Sequence, residues 1–250
     1  MKVPGIYLFT DFGSRGPYMG LMEAAAVAVC PRLRVSTLMS DALATDPRRS
    51  AYLLAALMRW LPADAVVVAV VDPGVGGDRR LLALRTQGRW CLGPDNGLLS
   101  RLAAADEESR LWELPSPSGR QISASFHGRD ILAPAAARLA CGQPPDLIPA
   151  RRQDMLGMDW PEMLAEVIYL DDFGNAMSGI PAAAVSDHRT LICEGRMLPR
   201  VRTFSDVSPG ELLCYENSLG LLEIAANGGS AAQILGLKTG SILSLSGESS

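Results

Sequence analysis

Histidine is almost missing from this chain: only two of its 250 residues are His. The five cysteines form no Cys-x-x-Cys pair and no His-Glu-x-x-His run accompanies them, so neither a metal site nor a disulfide framework is suggested. Cys30, Cys91, Cys141, Cys193 and Cys214 are therefore expected as small buried apolar residues. Charge is also scarce, at 20% of residues with a net −4, and the arginines are scattered. A nucleic-acid surface needs a concentrated basic face, so none is expected; a small polar, uncharged or zwitterionic ligand fits better. Apolar runs such as Ala65 to Val71 are far short of the ~20 residues that span a bilayer. The opening MKVPGIYLFTDFG has one lysine and a short apolar stretch before Asp11, too little for a secretory signal, and the expectation is a cytoplasmic protein away from membranes. Hydrophobic residues make up 48% of the chain, ample for a core, so disorder is not expected.

The first part of the chain alternates strand-like and helix-like segments: IYLFT, a helix from about Tyr18 to Cys30, VSTLM, a second helix, then AVVVAVV. This order predicts an α/β domain over 1–145 with a central, largely parallel sheet flanked by helices. The second helix has legible ends, with Asp46 as cap, Pro47 at its first position and Pro62 beyond its last turn. LAPAAARLACG, Leu132 to Gly142, reads as another helix with a glycine stop. Residues 146–163, proline-rich, charged and without either period, read as a linker. Beyond it EVIYL, TLICE, ELLCY, LLEIA and SILSL are short strand candidates between turn residues, which predicts a smaller all-β, barrel-like domain over 164–250.

In an open parallel sheet, ligands bind beyond the carboxyl ends of the strands. Two aspartates fall there, Asp11 after YLFT and Asp72 after AVVVAVV in the run VVDPGVGGDRR. Asp before Pro-Gly is a common turn former. What adds chemistry is its company: a carboxylate on one arm of a glycine loop and Arg79 or Arg80 on the other can pair bidentately. The loop lacks the Gly-Lys-Ser/Thr of a phosphate-binding loop and fails Gly-x-Gly-x-x-Gly, so phosphate and dinucleotide readings are weak. His188, in SDHRT, reads as a turn residue, whereas His127, in ASFHGRD, precedes a glycine in a loop before a helix. DDFGN and ENSLG place carboxylates, amides and a hydroxyl at strand ends of the β-rich part.

Taken in order, TDFG, VDPGVGGDRR, GPDNG, FHGRD, DFGN and NSLGLLEIA resemble the S-adenosylmethionine hydroxide adenosyltransferase family, which is related to halogenating enzymes acting on the same substrate. The likeness spans nearly the whole chain. It implies a water-handling triad of Asp72, Arg79 and His127, which the halogenating relatives lack in complete form, and a ribose-binding role for Asp11. It further implies that Asp171 holds the methionine ammonium, Asn175 reads adenine with backbone around Asn227 and Gly228, and Ser218 lies near the methionine carboxylate. Where the family often continues FGN with Thr-Asn, this chain has Ser178 and Gly179, and Leu219 stands where the halogenases have an arginine.

The implied reaction is attack of water or hydroxide on the adenosyl 5′ carbon, giving adenosine and L-methionine, with S-adenosylmethionine as substrate and no metal or other cofactor. The resemblance also implies a homotrimer with sites at subunit interfaces. A halide-using adenosyltransferase and a non-catalytic binding module for the nucleoside or S-adenosylmethionine are the alternatives.

Overall fold

A computed structural model describes residues 5–117, 121–186 and 188–246. It divides into two compact units, 1–160 and 161–250.

The first unit is built on seven strands: β1 (Gly5–Thr10), β2 (Arg34–Met39), β3 (Val66–Val70), β4 (Leu81–Thr86), β5 (Arg89–Pro94), β6 (Arg110–Glu113) and β7 (Ile148–Ala150). They lie in the order β2-β1-β3-β5-β4-β6-β7. The expected α/β sheet flanked by helices is present, and its pairings are of both kinds. β2, β1, β3 and β5 run parallel, whereas β4, β6 and β7 add antiparallel pairings. The reversal has a local cause. Between β4 and β5 stand only Gln87 and Gly88, at φ 47° and 82°, the two positive values that a tight hairpin turn demands.

β3 is buried at every position. Its Val66, Val68 and Val70 join Ile6 and Leu8 in one core, while Val67 and Ala69 point to the other face and are equally inaccessible, as in a sheet covered on both sides. Helices α1 (Tyr18–Val29) and α4 (Ala133–Ala140) pack together over that core, and α2 (Pro47–Met58) packs with α3 (Ser100–Ala104). α2 has the ends its sequence announces: the Asp46 side chain accepts from the Arg49 amide at 3.0 Å and Pro47 opens the helix.

Two expectations fail in this unit. Residues 146–160 are built into it rather than serving as a linker, since β7 pairs with β6 and Trp160 lies over Gly97. Cys30 and Cys141 form a disulfide across 111 residues, because α1 and α4 are neighbours and each ends at its cysteine. Cys91, Cys193 and Cys214 are buried thiols as expected, and burial pushes Cys91 up to about 12.

The second unit is antiparallel throughout its ladders. β8 (Leu164–Leu170), β9 (Ala176–Pro181), β12 (Leu212–Glu216) and β13 (Leu221–Ala226) form a sheet ordered β12-β13-β9-β8. β10 (Leu191–Cys193), β11 (Arg196–Leu198) and β14 (Leu243–Leu245) form another, ordered β11-β10-β14. Single bridges, Glu166 to Ile242 and Arg200 to Cys214, tie the edges of the two sheets, so among the described residues the smaller barrel-like unit consists of two sheets joined at their edges. The helix α5 (Ala231–Leu235) has five residues.

Candidate active site

β1 and β3 are parallel neighbours with Thr10 opposite Val70. The chain leaves both strands at the same edge, so Asp11 and Asp72 emerge there beside the end of β5, where the strand gives way to Asp95 and Asn96. Asn96 fastens this corner: its Nδ2 donates to the Val71 carbonyl at 2.8 Å and its Oδ1 accepts from the Leu98 amide at 3.2 Å. The sequence reading used GPDNG only as part of a resemblance and gave Asn96 no task. Its signal was the amide one residue beyond a strand-ending Asp.

From Asp72 the chain turns through Pro-Gly-Val-Gly-Gly and returns with Arg79. Gly76 is at φ +83°, and a Cβ there would stand 2.7 Å from the Ala124 carbonyl oxygen. The loop therefore lies directly on the segment that carries His127, and only glycine allows that approach. Arg79 Nε lies 3.0 and 2.9 Å from the two Asp72 oxygens, and its Nη2 also pairs with Asp72. Arg79 Nη1 is 3.0 Å from His127 Nδ1. A guanidinium only donates, so Nδ1 accepts and the neutral ring carries its hydrogen on Nε2. Burial, then the Arg79 charge, holds His127 below its usual range against the opposite pull of Asp72 and Asp130.

His127 stands at the start of a π-helical turn, Gly128–Leu132, that runs into α4. Such turns often occur at functional sites. Asp130 anchors it by accepting from the Ser123 amide at 2.8 Å. Phe126 meets Phe12 and Tyr18 edge-on, with centroids 5.7 and 5.5 Å away, which ties this turn to the TDFG stretch. Arg80, the other arginine of the loop, is turned elsewhere: it pairs with Asp95, whose second oxygen accepts from the Leu156 amide at 3.0 Å. Asp11 Oδ2 accepts from the Thr45 amide at 3.0 Å. His188 is an exposed turn residue.

The five candidate residues of the second unit, Asp171, Asn175, Ser218, Asn227 and Gly228, all line a single cavity of about 810 Å³. Asp171 shapes its rim from the β8–β9 loop. Asp171 Oδ1 accepts from the amides of Phe173 and Asn175 at 3.0 and 2.8 Å, and Oδ2 from Asn175 Nδ2 at 2.8 Å. Gly174 in the same loop is at φ +80°, with Ser230 where a side chain would go. Asn227 Nδ2 donates to the Val207 carbonyl at 2.8 Å.

Glu223 also lines this cavity, 2% exposed, and the sequence reading missed it because it sits inside the apolar run of β13. It accepts from the Tyr215 hydroxyl and from Asn217 Nδ2, the latter at 2.9 Å. Asn217 in turn accepts from the Leu219 and Leu221 amides at 2.9 and 3.1 Å, building the turn that carries Ser218. Burial pushes the Glu223 carboxyl up; the bonds from Asn217 and Tyr215 offset this, and the nearby Asp171 charge adds to it. A glutamate in a strand otherwise buried and apolar was the signal available.

Residues 6–149 match the SAM hydroxide adenosyltransferase N-terminal domain and residues 165–244 the C-terminal domain. The chain belongs to the SAM hydroxide adenosyltransferase family. It is 39% identical to an "(R)-S-adenosyl-L-methionine hydrolase" of Thermus thermophilus, over 94% of this chain and 96% of the relative, and 39% identical to one of Salinispora tropica over 95% of each. A "Fluorinase" of Nocardia brasiliensis is more distant, at 24% identity over 95% of each chain. Among solved structures, a conserved hypothetical protein from Thermus thermophilus superposes with a TM-score of 0.78 at 36% identity, covering 97% of this chain and 99% of the other. The likeness thus extends along nearly the full length of these relatives.

Proposed function

We propose that this chain hydrolyses S-adenosyl-L-methionine to adenosine and L-methionine. The observation that carries the reading is the hydrogen-bonded set Asp72–Arg79–His127, whose aspartate lies just beyond the carboxyl end of a parallel strand, in a chain so similar to named hydrolases. The oxygen of water attacks the adenosyl 5′ carbon while the C5′–S bond breaks. Its electron pair returns to sulfur, and the sulfonium leaves as a neutral thioether. The leaving group needs no acid, so the protein's task is to hold and stabilise the nucleophile.

Asp72 fixes the guanidinium of Arg79 by two oxygens, and Arg79 fixes the tautomer of His127. Arg79 and the Nε2–H of His127 are then two donors that stabilise negative charge developing on a water oxygen. Since Nδ1 is engaged by Arg79, the proton leaves the attacking water by another route than that nitrogen. Alignment of water and 5′ carbon supplies much of the rate, as oriented reactants recover ~7 to 11 kcal/mol of barrier. Asp11 receives the ribose hydroxyls, Asp171 the ammonium, Asn175 with the backbone at Asn227 and Gly228 the adenine, and Ser218 lies near the methionine carboxylate.

The decisive experiment is product analysis: incubation with S-adenosylmethionine yields adenosine and methionine without added metal, cofactor or halide, and a chelator leaves the rate unchanged. The two donors, Arg79 and the Nε2–H of His127, also suit a halide, which favours a second reading as a halide-using adenosyltransferase. Dependence on chloride or fluoride with a 5′-halo-adenosine product would establish that reading, and binding without turnover would make the chain a ligand-binding module.

The proposed assembly is a cyclic homotrimer in which the first unit of one copy and the second unit of a neighbour complete each site. Its support is the division of the candidate residues, with Asp11, Asp72, Arg79 and His127 in one unit and the rest in the other. Co-expressing His127→Ala with Asn175→Ala tests it: random assortment in a closed ring leaves about a quarter of sites with two intact halves, so activity returns. Mixed rings no more active than the separate variants overturn it. The proposed location is the cytoplasm, which cell fractionation checks; among the described residues no helix is long and apolar enough to cross a membrane.

A further inference from the structure

The cavity of the second unit is rich in acceptors and poor in donors. Two carboxylates line it, Asp171 and Glu223, and none of its described lining residues is lysine, arginine or histidine. Its side-chain donors are committed inward. Tyr215 and Asn217 donate to Glu223, Asn175 donates to Asp171, and Asn227 donates to the Val207 carbonyl. The Asn217 oxygen is occupied by two backbone amides, so that side chain serves its own turn. Ser218, whose hydroxyl stands on that turn, is exposed.

A ligand with an ammonium and a carboxylate meets these walls unequally. The ammonium brings three donors and a positive charge to a surface that supplies oxygens and negative charge. The carboxylate needs donors and positive charge, and among the side chains of this unit finds a hydroxyl beside two like charges.

We propose that this site selects the amino-acid end of its ligand by the ammonium and not by the carboxylate, so that adenosyl sulfoniums bearing an amine but no free carboxylate are substrates within three-fold of S-adenosylmethionine or better. The inference rests on the hydrolytic reading above and extends its substrate class. The chemistry is unchanged: water oxygen bonds to the 5′ carbon, the C5′–S bond breaks, sulfur keeps the electron pair, and the water proton is released. The products are adenosine and an ω-(methylthio)alkylamine.

Three sulfoniums test it on the wild-type protein, with adenosine formation as the readout: S-adenosylmethionine, its decarboxylated form with a 3-aminopropyl arm, and its deaminated form that keeps the carboxylate. The expected kcat/KM for the decarboxylated compound is no less than a third of that for S-adenosylmethionine, and for the deaminated compound at least thirty-fold lower. A decarboxylated compound more than three-fold worse, or a deaminated one less than thirty-fold worse, overturns the proposal. Absence of adenosine from all three would overturn the hydrolytic reading itself, while adenosine from S-adenosylmethionine with failure of the amine overturns only the selection rule. Glu223→Gln supplies an independent arm: the ratio of kcat/KM between the decarboxylated and deaminated compounds should shrink at least five-fold, and an unchanged ratio counts against the proposal.

Discussion

Asp72 in the first unit and Glu223 in the second are both nearly inaccessible carboxylates, at 5% and 2% exposure, yet they keep different company. Asp72 faces a guanidinium along two edges, and that guanidinium passes the contact on to His127. Glu223 faces only a hydroxyl and an amide, with a second carboxylate, Asp171, close enough to push its proton affinity up. The first charge is answered inside the protein before any ligand arrives. The second is hydrogen-bonded but has no counter-ion among the described residues, and under the proposal the cation that answers it comes from outside. On the proposed reading one unit is prepared for chemistry and the other for recognition, and the two can be disturbed separately.

Arg79→Ala breaks the first arrangement and carries the largest expected effect. It strands a buried carboxylate, which costs about 3 to 5 kcal/mol of stability. It also removes a donor from the nucleophile, which lowers the single-turnover rate by ~10² to 10³. Ligand affinity measured by calorimetry should change little, because the second unit is untouched. A single-turnover rate within ten-fold of wild type would take Arg79 out of the chemistry.

Neutralising each carboxylate in turn sharpens the contrast. Asp72→Asn removes the partner of a cation and should lower the melting temperature. Glu223→Gln removes a buried charge that has no counter-ion, so stability should hold or rise, since unanswered buried charge is costly. Its cost falls on binding instead: affinity for S-adenosylmethionine should drop about ten-fold, the scale of one charge-assisted contact, with the saturated single-turnover rate within about three-fold. If both variants lose stability alike, the two carboxylates are not different in kind.

Much of this was legible in the chain because strand ends carry the chemistry. Asp11 and Asp72 close apolar runs, and parallel pairing with Thr10 opposite Val70 sends both to one edge. The pairing of Asp72 with Arg79 rather than Arg80 was open in sequence, since both flank the same loop; it was decided by Asp95, fifteen residues on, which holds Arg80. The antiparallel half of the first sheet was hidden because a two-residue turn around Gln87 lacks the usual Asn-Gly signal. β9 was hidden for another reason: Gly179 breaks its strand pattern, but a Cβ there would stand 2.7 Å from that of Leu164, so the gap is a packing requirement. The Cys30–Cys141 bridge depends on which helices become neighbours, which spacing cannot express. Glu223 was overlooked because periodicity counts apolar faces, and a single acid within LLEIAA blends into a buried strand.

The smallest effect expected is a pH dependence with opposite signs in the two units. Burial and the Arg79 charge hold His127 below its ordinary value near 6.5, so the folded chain prefers the neutral ring. Between that lowered value and 6.5 the unfolded chain binds more protons, and stability falls as pH falls through this window. Above 6.5 both forms are neutral and the contribution is complete. His127→Asn should therefore flatten the acidic decline in melting temperature just below pH 6.5, modestly, since the ring is only half-buried and solvent screens it. The Glu223 carboxyl is displaced upward, so the folded chain holds its proton more readily than the unfolded one, and its contribution grows as pH falls toward the ordinary value of 4.5. Glu223→Gln should thus steepen the loss of stability as pH falls toward 4.5, the opposite sign to His127→Asn. Melting curves of the wild type and both variants from pH 7.5 to about 4 distinguish the two signs. Variants that shift the curve in the same direction would mean that the difference in charge compensation between Asp72 and Glu223 does not extend to the groups around them.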